Sequence, residues 1–221
     1  HQFISRGDAV YASPEPEAHR HITLRPQRFV PESDRTKALL PLAFCRECGQ
    51  EYYSVRRRVG DDGRVMFEPR ELGDRFEVDG AEPGYLYISE SEPWPSDAAA
   101  AMARLPDTWL ERNKKNETVL KRSVRDRVPR WIGLSADAVE GGGDIAAAYF
   151  ASPFLFCLHC DVTYGAHQTS DFAKLATLGS EGRSTATTLL GLSTVRRLRR
   201  DSSLAPEARK LLSFTDNRQD A

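Results

Sequence analysis

The chain contains four cysteines, and they stand as two C-x-x-C pairs, Cys45 with Cys48 and Cys157 with Cys160. A C-x-x-C turn lets two thiolates converge on one ion while nearby backbone N–H groups point at the sulfurs. Two such turns supply the tetrahedral four-sulfur shell that Zn²⁺ favours. The flanks repeat as well: "PLAFCRECGQEY" at 41–52 and "PFLFCLHCDVTY" at 153–164 share the frame P-x-x-F-C-x-x-C-x-x-x-Y. Each copy therefore reads as half of one metal site, with Cys45, Cys48, Cys157 and Cys160 as its ligands. Gly49 and Asp161 follow the second cysteine of each pair, where a positive φ is wanted; glycine adopts it freely and aspartate is among the few other residues that tolerate it. Phe44 and Phe156 before the pairs, and Tyr52 and Tyr164 after them, are expected to shield the two halves alike.

Other chemistries use the same residues. Two disulfides suit an oxidising compartment, which nothing in this chain indicates. A redox couple needs a helix to start after the motif, whereas strand-like "EYYSV" and "VTYG" follow here. Iron fits a four-sulfur site of the same spacing. Four thiolates leave no open coordination position, so the expected zinc is structural rather than catalytic. His159 and His167, beside the second pair, read as surface or hydrogen-bonded histidines.

The elements that must position these pairs are mostly strands. The runs "QFISRGDAVYAS" and "HRHITLRPQRFV" precede the first pair; "EYYSVRRRV", the turn "GDDG" and "RVMFEPREL" follow it as a hairpin with alternating exposed arginines. "GYLYISE", "PRWIGLS" and "IAAAYFASPFLF" are further strand candidates. "PWPSDAAAAMARLPDTWLERN" predicts one or two short helices, with Ser96 as cap and Pro106 as break. The expected class is α+β: a β-rich, zinc-ribbon-like module over 1–165, with its knuckles at 41–52 and 153–164 and a long insertion at 53–152. A truncated α/β portion follows over 166–221, where "RSTATTLLGLSTVRRLRR" suits a helix face and "KLLSFT" a short strand. Clamping by a metal makes the insertion compact, since closing the loop costs only a few kcal/mol while metal binding returns roughly 10 or more.

Composition narrows the class. The chain has 221 residues, 40% of them hydrophobic, and a formal net charge of −1. That is enough to bury a core, without the global basicity of a nucleic-acid binder. Charge is segregated locally: 111–130 and 195–200 are basic, and 68–92 is acidic, and each run also suits a solvated face. With no apolar run of membrane length and no targeting signal, a cytoplasmic protein without membrane contact is expected. The chain opens on His1 and stops at Ala221 shortly after "KLLSF", as a segment of a longer protein would.

The C-terminal residues "LLSFTDNRQDA" resemble the start of the second RecA-like motor domain of bacterial superfamily-2 DEAD/DEAH-box helicases. The likeness is to the large family that includes MrfA-like repair helicases and helicases of phage-defence systems such as DISARM and Druantia. "SEGRSTATTLL", the knuckles "FCRECGQEYY" and "FCLHC", and "HQFISRGDAVYA" resemble the segment between the two motor domains of those proteins, so the likeness spans nearly the whole chain. Asp161 departs from it, standing where a glycine is more usual. The resemblance implies an ATP-dependent DNA helicase or translocase as parent, with ATP and Mg²⁺ bound by the parent alone. This chain has neither a G-x-x-x-x-G-K-[ST] loop nor a D-E-x-H motif and is not expected to be an enzyme.

The implied partners are DNA, single-stranded or duplex, and the RecA-like domains of the same protein. Thr215, Asn217 and Arg218 are the implied phosphate contacts; turn and capping chemistry around Asp216 explains them equally. Arg183 and Ser184, at an expected helix start, suit a phosphate or a simple N-cap. Lys121, Arg122 and Arg125 are the candidates within the basic run. The expected function is a non-catalytic, zinc-stabilised accessory module that orients the motor lobes and contacts nucleic acid; the alternative is a structural or protein-interaction module that does not.

Overall fold

Runs such as "EYYSV", "GYLYI" and "AAAYF" place bulky residues at consecutive positions rather than alternate ones. A strand that is covered on both faces requires this pattern. The computed structural model describes residues 9–74, 78–165, 167–168 and 170–177, together with Leu198, Arg199, Ala205 and Lys210. Two units are distinguished, His1–Thr177 and Leu178–Ala221.

The first unit is built on an antiparallel sheet. Its strands are β1 (Tyr11–Ala12), β2 (Ile22–Thr23), β3 (Leu40–Cys45), β4 (Glu51–Val59), β5 (Val65–Pro69) and β6 (Ala81–Tyr87). Helix α1 (Ala98–Ala103) and a 3-10 turn (Asp107–Trp109) lead to a separate ribbon of β7 (Leu110–Arg112) and β8 (Thr118–Leu120). A second 3-10 turn (Arg122–Arg127) precedes β9 (Arg130–Leu134) and β10 (Ile145–Ala151); a third (Asp171–Ala173) leads into β11 (Leu175–Ala176). The main sheet runs β2-β1-β3-β4-β6-β10-β9, with β5 added to β4 and β11 to β3. The β-rich α+β class is as the sequence predicts, and the first unit runs past Gly165 to take in β11.

Alternation along the strands sorts the core into two layers. Tyr52, Tyr85, Tyr87, Ala148 and Phe150 share one cluster with Cys45 and Cys157. Their sequence neighbours Tyr53, Leu86, Ala147 and Tyr149 join Leu42, Val55, Ile132 and Leu134 on the other face. The cysteine-side layer is aromatic: Tyr52 meets Phe154 edge-on at 5.0 Å and Phe150 at 5.9 Å between ring centroids, and Tyr85 meets Phe154 at 5.7 Å. Such pairs each contribute about 0.5–1.5 kcal/mol beyond their buried area. Gly84 on β6 makes the close approach of β10 feasible, because a Cβ there would lie 2.6 Å from the Phe150 carbonyl oxygen and from the Tyr149 ring.

Three local expectations are corrected. Asp97, not Ser96, caps α1: its carboxylate accepts from the Ala100 N–H at 2.8 Å, and its φ/ψ of −78°/131° is that of an N-cap one residue before Ala98. Arg56, Arg57 and Arg58 of β4 are half-buried rather than exposed, while Arg64 across the turn is exposed as expected. They take up part of the acidic run, Arg58 pairing with Glu68 at 3.3 Å and Arg56 with Asp74. Finally, Phe44 packs in the layer opposite the cysteines, because strand alternation turns it away when Cys45 turns toward them.

Candidate metal centre

The two cysteine turns have the same backbone. At the first, the Cys45 N–H donates to the Gln50 carbonyl at 2.8 Å and the Gly49 N–H to the Cys45 carbonyl at 2.9 Å. At the second, the Cys157 N–H donates to Val162 at 3.0 Å and the Asp161 N–H to Cys157 at 3.1 Å. The Phe44–Glu51 pairing across the first turn recurs as a bridge between Phe156 and Thr163 across the second. Gly49 and Asp161 have φ of +81° and +59°, the left-handed conformation expected of them.

The turns face each other, and all four sulfurs lie within 4.8 Å of one another. Cys48 Sγ is 3.7 Å from Cys157 Sγ, and Cys45 Sγ is 4.0 Å from Cys160 Sγ. A tetrahedron with metal–sulfur bonds of about 2.3 Å has edges of about 3.8 Å, so the sulfurs are spaced for a zinc-sized ion and too far apart for S–S bonds. Cys45 and Cys157 are buried, while Cys48 and Cys160 lie toward solvent. Four thiols from two distant turns thus form a metal-binding site whose donor set and spacing are compatible with structural Zn²⁺. His159 and His167 are exposed and lie outside the sulfur cluster.

The electrostatics are uneven. Burial pushes the Cys48 thiol well up and also raises Cys45, against the lowering effect of N–H groups, of Gln50 for the former and of Cys48 and Glu47 for the latter. At Cys157 burial acts the same way, but the Tyr52 hydroxyl and the N–H groups of Cys160 and His159 outweigh it and the net direction is down. Tyr52 contributes more than shielding. Its hydroxyl oxygen accepts from the Leu158 N–H at 2.8 Å, leaving its own proton for Cys157 Sγ at 3.2 Å. A tyrosine of one turn thus serves a sulfur of the other. Tyr164, its counterpart, is pushed up to about 12 by burial and by the charges of Cys45 and Glu47, and its hydroxyl has no hydrogen-bond partner among the described residues.

Tyr52→Phe keeps the ring packing but removes both hydrogen bonds. It is expected to weaken metal binding by about tenfold or more, as loss of a hydrogen-bonding group around metal ligands does. Competition against a chromophoric chelator measures this, and an unchanged affinity would remove Tyr52 from the site.

Strands hold the first turn, which is the tip of the β3–β4 hairpin, with β11 paired to Phe44 and Cys45. Side chains hold the second. Arg104 donates to the Leu158 carbonyl at 2.6 Å while its guanidinium lies over Trp94. Phe156 is packed edge-on by Trp109 at 5.0 Å, and Arg127 donates to the Ser152 carbonyl ahead of the cis Ser152–Pro153 peptide. At the centre is a buried pair that sequence reading missed. Asp171 accepts from the Phe154 N–H at 2.8 Å, Tyr85 Oη at 2.7 Å, Ser152 Oγ at 2.9 Å and Lys174 Nζ at 3.1 Å. Lys174, fully buried, also donates to the Phe154 carbonyl at 2.8 Å, and its own carbonyl accepts from the Arg46 N–H inside the first turn. The two turns are therefore tied together by protein groups as well as by shared sulfur geometry.

Of the residues predicted to contact nucleic acid, Arg122 and Arg125 are exposed, whereas Lys121 places its ammonium on the Thr108 carbonyl at 2.6 Å. Arg183, Ser184, Thr215, Asn217 and Arg218 lie outside the described residues, as does the expected start of a RecA-like domain. Leu198 and Arg199 are helical, within the stretch where a helix is expected. Among the described residues no helix is long and apolar enough to cross a membrane. Compared with known proteins, the chain matches no family model, no curated protein and no solved structure.

Proposed function

We propose that the chain is a zinc-stabilised, non-catalytic module of an ATP-dependent DNA helicase or translocase, spacing and orienting its motor lobes and touching nucleic acid. The observation that carries the structural half of this reading is the meeting of the four sulfurs, which brings the two ends of 49–156 together within one compact unit. A closed four-thiolate shell offers no position for a substrate or an activated water, which favours a scaffold over a metalloenzyme. The motor context is supported by the resemblance of "SFTDNRQDA" and "SEGRSTATT" to helicase segments. ATP and Mg²⁺ belong to the parent in this reading.

The module is expected to bind DNA at low salt with an affinity that falls steeply as salt rises, because contacts to phosphate release counterions. Fluorescence anisotropy across a salt series measures this; absence of binding at low salt would favour the protein-interaction reading. That second reading has its own support in an open cleft of about 730 Å³ beside the second turn, where Glu92, Asp107 and Asp161 outnumber Arg104 and leave a net negative lining that disfavours phosphate. Reading the gene outward tests the motor context separately. A phosphate-binding loop upstream and arginine-finger motifs downstream are expected, and a reading frame with neither would overturn it.

A further inference from the structure

The β7–β8 ribbon stands apart from the main sheet as its own two-stranded unit. Its register pairs Leu110 with Leu120, Glu111 with Val119 and Arg112 with Thr118, leaving residues 113–117 as the tip. The tip is built rather than loose: Asn113 Oδ1 accepts from the Lys115 N–H at 2.8 Å and the Glu117 N–H at 3.0 Å. Asn116 has a φ of +61° and accepts from Arg112 Nη1 at 2.8 Å. The Glu117 carboxylate accepts from Asn113 Nδ2 at 2.7 Å. Lys114 and Lys115 are exposed at the tip.

The 3-10 turn that follows the ribbon adds a second basic element. Burial over Arg122–Arg127 repeats every third residue: Val124 and Arg127 are half-buried, and the other four positions are exposed. A 3-10 helix has three residues per turn, so Arg122 and Arg125 form one outward row, with about 6 Å between them along the axis. That is comparable to the step between neighbouring phosphates on a strand. Among the described residues none of Lys114, Lys115, Arg122 and Arg125 is paired with a carboxylate. The base of this device is rigid, because Leu120 and Val124 pack against the aromatic layer and Trp109, just before β7, packs on Phe156.

We propose that the β7–β8 ribbon and the Arg122–Arg127 turn form a docking surface for duplex DNA, with the lysine tip in a groove and the arginine row on the flanking phosphates. A B-form major groove admits a two-stranded ribbon, and exposed cations spaced along a packed base suit contacts to a row of phosphates, which position a protein on a duplex. This rests on the nucleic-acid reading above and changes which residues carry it: Lys114 and Lys115 join Arg122 and Arg125, while Lys121 has a structural task.

The test uses the full chain loaded with Zn²⁺ and a short labelled DNA duplex, titrated over a salt series. Lys114→Gln with Lys115→Gln, and separately Arg122→Gln with Arg125→Gln, are each expected to weaken binding about tenfold or more. The arginine pair should also lower the slope of log affinity against log salt by about two, as the loss of two phosphate contacts does. Arg25→Gln, an exposed arginine elsewhere, is expected to change neither. Asn113→Ala keeps every charge but frees the tip, and should cost a few-fold in affinity. Zinc content and near-UV circular dichroism establish that each variant is folded.

If the unaltered chain binds the duplex and both charge pairs leave affinity and slope unchanged, the ribbon is not the surface, although the nucleic-acid reading survives. If the unaltered chain does not bind at low salt, that reading fails and the ribbon assignment with it. Equal weakening toward a poly-glutamate probe would mean general attraction to polyanions and would overturn the assignment to DNA.

Discussion

Cys157→Ser is expected to abolish cooperative folding of the His1–Thr177 unit, and removal of metal from the unaltered chain by a strong chelator should do the same. Cys157 is fully buried, its sulfur accepts from Tyr52, and it lies 3.7 Å from Cys48 Sγ, so its loss opens the site at the centre of the aromatic layer. Structural four-sulfur sites contribute on the order of 10 kcal/mol, comparable to the whole net stability of a typical domain at about 5–15 kcal/mol. Thermal melts followed by near-UV circular dichroism measure the effect; a chelator-treated protein with an unchanged transition would contradict it. The direction with pH follows from the thiols. Burial raises Cys45 and Cys48 in the metal-free chain, so near neutral pH both hold protons that a metal must displace. Apparent metal affinity should therefore fall as pH is lowered, with protons released on loading.

The second large effect is expected at Asp171. Asp171→Ala leaves the Lys174 ammonium buried with only the Phe154 carbonyl as hydrogen-bond acceptor, and leaves the Phe154 N–H and the Tyr85 hydroxyl without their shared acceptor. Breaking one side of a buried, hydrogen-bonded pair costs about 3–5 kcal/mol. Adding Lys174→Met removes the stranded charge, so the double variant should be more stable than the sum of the single effects implies. Urea denaturation of the three variants gives the coupling. Strict additivity would mean that the pair does not act as a unit, and the account of how the second turn is held would then need another support.

The sulfur site was legible because its signal is local and repeated: the spacing of each pair, the residue after it and the tyrosine frame each require a particular geometry. The β4–β5 hairpin was legible for a similar reason, with Gly60 and Gly63 closing a turn between two strand-like runs. What escaped depends on partners distant in sequence. "SDFAK" has the composition of an ordinary loop, and nothing in it announces that Asp171 will meet Tyr85, Ser152 and Phe154. Phe44 and Phe156 hold equivalent places in the repeated frame yet lie in different surroundings. A six-residue strand turns Phe44 away from the cysteines, while the second turn has no such strand and packs Phe156 under Trp109. The arginines of β4 read as solvent-facing because their carboxylate partners come from later in the chain.

The separation of the two turns along the polypeptide has a consequence for how the protein is made. Cys45 and Cys48 leave the ribosome while Cys157 and Cys160 are still untranslated; at about 5–20 residues per second that interval is about 5–20 s. During it the hairpin carrying the first pair lacks β10, β11, Asp171 and Lys174, so its aromatic face is uncovered. Until then the first pair has no sulfur partners, and both the metal site and the cover of the aromatic layer are completed by the last part of the unit to emerge.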